Sequence, residues 1–142
     1  MQRLHVSLNV DDLARSVDFY SNLLGADPTM LKEDYAQWIL DDPRVNLSLV
    51  VSDSTTGFGH LGIQTETDAE LSSLYERLEK TKGDILDEDD TVCCYAKSNK
   101  KWVTDPLNIS WEAFKTEKRT EKFSSEEVAS KSSACCDQAC AC

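Results

Sequence analysis

The sequence predicts an α+β fold made of two paired strand–helix–three-strand (βαβββ) modules followed by a flexible C-terminal tail. Three observations carry this. An offset of about 55 positions lays His5-Val-Ser-Leu-Asn over His60-Leu-Gly-Ile-Gln, and brings Tyr20 over Tyr75 near the end of the helical pattern that follows each. Two Asp-Pro turns, at Asp42 and Asp105, each lead into a closing strand, Asn46-Leu-Ser-Leu-Val50 in one half and Asn108-Ile-Ser-Trp-Glu112 in the other. From about Lys115 the apolar content falls away. A repeat this long that comes only twice is no solenoid unit, and reads as an internal duplication folding two similar halves against each other.

In the first module, about residues 1–52, Leu4, Val6, Leu8 and Val10 alternate with Arg3, His5, Ser7 and Asn9. That period of two marks a strand with an apolar and a polar face. His5 is on the polar face, which in an ordinary surface sheet meets water. Asp11 or Asp12 caps the next helix, where Leu13, Val17, Tyr20 and Leu24 recur at helical spacing and Gly25 supplies the stop. This stripe is core rather than a cofactor site. A short strand is expected within 28–33, and strands over 35–40 and 45–51 joined by the turn Asp41-Asp-Pro-Arg44.

The polar stretch 52–57 connects to the second module, about 57–115. Leu61 and Ile63 face one way and His60, Gly62 and Gln64 the other, repeating the register of the first strand. Thr67 and Glu70 have capping-box spacing, Leu71, Leu74, Tyr75 and Leu78 form the buried stripe, and Gly83 is expected to end the helix. Residues 85–95 carry the acid run Asp87-Glu-Asp-Asp90, read as a solvated edge or loop, and then Cys93 and Cys94. A strand is expected over 100–104. Asp105-Pro-Leu-Asn108 reads as a turn with Asn tolerating positive φ, and 108–114 as the last strand, with Asn108, Ser110 and Glu112 on one face. The domain is expected to span 1–115, and 116–142 to be a polar tail ending in the thiols Cys135, Cys136, Cys140 and Cys142.

Length and charge narrow the function. At 142 residues the chain makes one domain with a core. A net charge of −11 argues against nucleic acid and an anionic membrane as partners, because their phosphates would be repelled. There is no signal-peptide pattern and no run of roughly 18 apolar residues, so a cytoplasmic protein is expected. The six cysteines are mostly adjacent or nearly so, which makes poor structural disulfides. Reduced thiols that bind something fit them better.

A pseudo-twofold pairing of the halves offers four equivalent positions, His5, Val50, His60 and Glu112, of which three can bind a metal. Two histidines and a carboxylate with coordination left open are the ligand set of non-haem Fe(II) oxygen chemistry. Each residue also has an ordinary reading when taken alone. His5 would be a solvated side chain, Glu112 an exposed strand carboxylate, and Cys93 and Cys94 small hydrophobes in a strand. The tail cysteines follow no zinc spacing.

The duplicated plan, the histidine opening each half and the Asp105-Pro-Leu-Asn…Glu112 ending resemble the vicinal oxygen chelate superfamily, which includes glyoxalase I and extradiol dioxygenases. More narrowly, His5-Val-Ser-Leu-Asn-Val, Thr91-Val-Cys-Cys-Tyr-Ala96, Trp102-Val-Thr-Asp-Pro106 and Trp111-Glu112 resemble the ArsI/CadI heavy-metal-resistance family over roughly residues 1–115. Its arsenic members are Fe(II)-dependent, O2-using carbon–arsenic lyases. The resemblance implies Fe(II) held by His5, His60 and Glu112, and a trivalent organoarsenical such as methylarsenite held by Cys93 and Cys94. The tail thiols are possible accessory metalloid ligands. A monomer or homodimer is expected, since modules in this superfamily pair within or between chains. Two other readings stand beside the lyase: a non-catalytic cadmium- or arsenite-binding resistance protein, and a glyoxalase-type metalloenzyme, which Val50 disfavours by removing the usual fourth ligand.

Overall fold

A computed structural model of the chain describes residues 1–81, 83–93 and 96–119. In chain order the elements are β1 (Arg3–Val10), α1 (Leu13–Leu24), β2 (Met30–Leu31), β3 (Tyr35–Asp41), β4 (Arg44–Val51), β5 (Gly57–Thr65), α2 (Asp68–Lys80), β6 (Ile85–Cys93), β7 (Ala96–Thr104) and β8 (Ser110–Arg119). The βαβββ plan thus occurs twice.

The eight strands among the described residues join one sheet in the order β2-β3-β4-β1-β5-β8-β7-β6. The two modules meet where β1 and β5 run antiparallel, with Val6 opposite Leu61, His5 opposite Gly62 and Ser7 opposite His60. Exchanging the halves about the Val6–Leu61 pair maps His5 onto His60, so the repeat read from sequence is a structural pseudo-twofold. On either side β4 and β8 lie parallel to their modules' first strands. Parallel neighbours need a crossover, which the helix and the following strands of each module supply.

Local chemistry explains the helices. The Asp12 side chain accepts from the Arg15 N–H at 2.9 Å, and Gly25 ends α1 at φ 65°, in the left-handed region. Thr67 and Glu70 form the expected capping box on α2. That helix ends at Thr81 rather than at Gly83. Gly83 answers to packing instead, since a Cβ there would lie 2.6 Å from the Val103 Cγ2.

Both helices cover the same face of the sheet. Beneath α1, Ala36, Trp38, Leu47 and Leu49 form a core with Val6, Leu8 and Val10. Beneath α2, Leu74, Leu78, Val103 and Ala113 pack with Ile63 and Trp111. Each fully buried aliphatic side chain contributes about 1.5–3 kcal/mol, so these clusters drive folding. The opposite, polar face is also buried: His5, Ser7, Asn9, Asn46, Ser48, His60, Gln64, Lys100 and Glu112 all lie inside. Among the described residues neither helix packs on this face, since α1 and α2 both cover the apolar one. The ordinary reading of His5 as a solvated side chain therefore does not hold, and both histidines face the interior.

The acid run lies in β6, the last strand of the sheet order, and Asp87 pairs with Lys101 at 2.7 Å. β7 begins before the expected Lys100 and β8 continues past Phe114, because antiparallel pairing on β7 supplies hydrogen bonds that a lysine-rich sequence would not win by strand propensity. Among the described residues, no helix is long and apolar enough to cross a membrane.

Candidate metal centre

The three expected ligands arrive from three adjacent strands, β1, β5 and β8. His5 Nε2 lies 3.2 Å from His60 Nε2, and Glu112 Oε2 lies 3.7 Å from the first and 3.4 Å from the second. One ligand atom from each falls within 4.8 Å of the others, and all three residues are buried. Gly62 permits this convergence. It stands between the ligands, where a Cβ would be 2.7 Å from the Glu112 carbonyl oxygen and 3.3 Å from His5 Cδ2. Aromatic walls surround the site: Phe114 meets His5 edge-on with ring centroids 5.3 Å apart, and Trp102 meets His60 at 4.9 Å.

Protonation follows from the partners. His5 Nδ1 lies 3.0 Å from the Asn46 carbonyl oxygen, which can only accept, so Nδ1 carries the hydrogen and Nε2 presents its lone pair inward. Burial pushes the His5 pKa down to about 4; Glu112 opposes this and His60 adds to it. The ring is therefore neutral at pH 7. Burial alone would push Glu112 up, but the Lys100 ammonium at 3.1 Å outweighs it and holds the carboxylate well below its ordinary range.

This donor set fits a divalent transition metal. Two imidazole nitrogens and a carboxylate oxygen crowd one point, and a lone pair is already aimed at it. Ser7 Oγ, on the same buried face beside His60, has no hydrogen-bond partner among the described residues. A buried hydroxyl left so costs about 1–3 kcal/mol.

The register moves one of the four repeat positions. Val6 pairs with Leu47 and Leu61 with Trp111. Since Val6 and Leu61 are equivalent, Glu112 corresponds to Ser48, and Val50 corresponds to Phe114. The sequence match was drawn off by two asparagines with different tasks, for Asn46 is a buried strand residue while Asn108 sits in a turn at φ 66°. Serine is a weak ligand beside a carboxylate, so the four equivalent positions carry three strong donors.

Cys93 is the last residue of β6, paired in register with Ala96. Cys94, Cys135, Cys136, Cys140 and Cys142 lie outside the described residues. Lys100 was missed by sequence reasoning, although its signal was present. Alternation from the core residue Val103 puts Trp102 outside the helix-facing core and Lys100 on the face of Trp102.

The glyoxalase/bleomycin resistance protein/dioxygenase superfamily model matches residues 2–113. The trivalent organoarsenical cleaving enzyme of Bacillus sp. (strain MD1) is 41% identical over 129 residues, covering 87% of this chain and 79% of that protein. The cadmium-induced protein CadI of Mycobacterium bovis is 33% identical over 96% of this chain and 94% of its own. The chain belongs to this superfamily, in its ArsI/CadI family. As a member it shares the fold of homoprotocatechuate 2,3-dioxygenase from Brevibacterium fuscum, with a TM-score of 0.61 at 19% identity over 85% of this chain and 38% of that one. In this ArsI/CadI chain the three candidate ligands, His5, His60 and Glu112, come from both modules.

Proposed function

We propose that the protein is a carbon–arsenic lyase that uses Fe(II) and O2 to cleave trivalent organoarsenicals to inorganic arsenite. The observation that carries this is the convergence of His5, His60 and Glu112 within 4.8 Å, in a chain so similar to a trivalent organoarsenical cleaving enzyme. Those three residues would hold the iron. When bound, Fe(II) supplies the one-electron chemistry by which triplet O2 reacts with a spin-paired substrate.

The rest is positioning. Cys93 and Cys94, as thiolates, bind the soft arsenic centre and bring its As–C bond beside the open corner at Ser48. Trp102 and Phe114, both nearly fully buried, narrow the site and exclude water. For methylarsenite, one O2 balances the conversion to arsenite and formaldehyde: the C–As bond, one methyl C–H bond and the O–O bond break, one oxygen goes to arsenic and carries the released hydrogen as As–OH, the other becomes the formaldehyde oxygen, and the four electrons taken by O2 come from the methyl carbon while arsenic stays trivalent. No separate reductant is required.

The CadI relative favours a second reading, non-catalytic capture of cadmium or arsenite by thiols. A glyoxalase-type reaction remains disfavoured by Ser48 at the fourth corner. Protein loaded anaerobically with Fe(II) decides among these. The lyase takes up O2 only when methylarsenite is added and releases arsenite in step. Methylarsenite bound but unchanged in the presence of O2 would establish capture instead.

A further inference from the structure

We infer that Lys100 is a positioning residue that occupies one oxygen of Glu112, so that the carboxylate offers the metal its other oxygen alone and one more coordination position stays open to an exogenous oxygen ligand. The inference rests on the metal-centre reading above.

The two oxygens of Glu112 keep different company. Oε1 lies 3.1 Å from Lys100 Nζ, whereas Oε2 faces His5 and His60 at 3.7 and 3.4 Å. A carboxylate can ligate through one oxygen or both, and an ammonium on Oε1 decides for one. Lys100 is only 3% exposed, so it cannot leave for solvent without exposing the interior. It is also braced from the far side. Glu88 Oε2 lies 3.8 Å from Nζ and accepts a hydrogen bond from Trp102 Nε1 at 3.0 Å, and Nζ sits 5.5 Å from the Trp102 ring centroid. Trp102 in turn packs on His60. One brace therefore orients the carboxylate and one imidazole together.

The pseudo-twofold gives an independent indication. Lys100 pairs with Phe114 as Tyr35 pairs with Val50, so Tyr35 stands where Lys100 does in the other half. There Ser48 replaces Glu112. Cation and carboxylate occur together in one module and are replaced together in the other, as expected if the lysine serves the carboxylate rather than the strand.

Three protein donors leave about three positions of an octahedral metal for exogenous ligands, and a two-oxygen carboxylate would leave about two. The test counts them. The full-length protein is loaded with Mn(II), and exchangeable metal-bound water is counted by water-proton relaxation alongside Mn(II) affinity. Lys100→Met, which keeps the shape, and Lys100→Thr, polar but too short to reach Oε1, should each lose about one water relative to wild type. Lys100→Arg should retain it. Circular dichroism establishes which variants are folded. A folded Met or Thr variant with the wild-type water count overturns this inference alone, whereas a wild type that binds no Mn(II) or Fe(II) overturns the metal centre and this inference with it.

Discussion

Gly62 stands opposite Glu112 across the parallel β5–β8 pair, so close that a methyl group on its Cα would sit 2.7 Å from the Glu112 carbonyl oxygen and 3.2 Å from its Cβ. The obstacle is backbone, which cannot swing aside as a long side chain could. Gly62→Ala should therefore push β8 away from β5 and carry Glu112 out of line with the two histidines. We expect a loss of about 1–3 kcal/mol in unfolding free energy from overpacking, and about 10–100-fold weaker Fe(II) binding. Urea unfolding and an anaerobic Fe(II) titration would measure both, and wild-type values for the alanine variant would show that this glycine is not required.

The pKa of His5 makes stability depend on pH in a defined window. Burial lowers it from 6.5 to about 4, so between those values the unfolded chain binds a proton that the folded chain refuses. The His5 contribution is fully present above pH 6.5 and is lost as pH falls through about 4. Its size is on the order of 3 kcal/mol. We expect metal-free wild type to lose this stability between those limits, and His5→Gln to show a flatter profile. Parallel profiles for the two proteins would remove His5 as the cause.

What was legible before the structure divides along physical lines. Both helices could be placed with their N-caps because periodicity and capping are local, as Asp12 and Thr67 show. The pairing of His5 with His60 was legible because the duplication preserved both residues. The burial of Ser7 and Asn9 was not, since alternation describes a strand and not what comes to cover its polar face. Nor could alternation place Ser48, because shifting the match by two residues leaves every side chain on the same face. Only the hydrogen-bond register separates Ser48 from Val50. Lys100 escaped notice because a strand lysine is ordinarily solvated, and its burial depends on Glu88 and Glu112 coming from strands on either side.

That register yields a paired test. Ser48→Glu places a carboxylate at the position equivalent to Glu112, where it should bind the metal as a fourth protein donor and close the open corner. We expect metal retained and methylarsenite turnover reduced at least tenfold. Val50→Glu instead buries a charge beside Tyr35, at the position equivalent to Phe114, and should cost stability without adding a ligand. If Val50→Glu rather than Ser48→Glu retained metal and blocked turnover, the assignment of equivalent positions would be reversed.

Substrate capture and oxygen chemistry can be separated at Cys93 and Cys94. Thiolates take up trivalent arsenic because it is soft and carries exchangeable ligands, and they do not take up the pentavalent element in the same way. Serine keeps the size of cysteine but not its soft donor. Cys93→Ser and Cys94→Ser should therefore each bind Fe(II) as wild type does, through the untouched His5, His60 and Glu112, while losing methylarsenite binding and arsenite release by at least about 100-fold. Serine at Cys135, Cys136, Cys140 and Cys142 should leave release near the wild-type rate and lower only the total arsenite or cadmium bound per chain. Pentavalent methylarsenate should be inert toward all of these proteins. A Cys93→Ser, Cys94→Ser double variant that still released arsenite at the wild-type rate would show that arsenic reaches the open corner without the thiol pair, and the site would then have to hold its substrate through the metal alone.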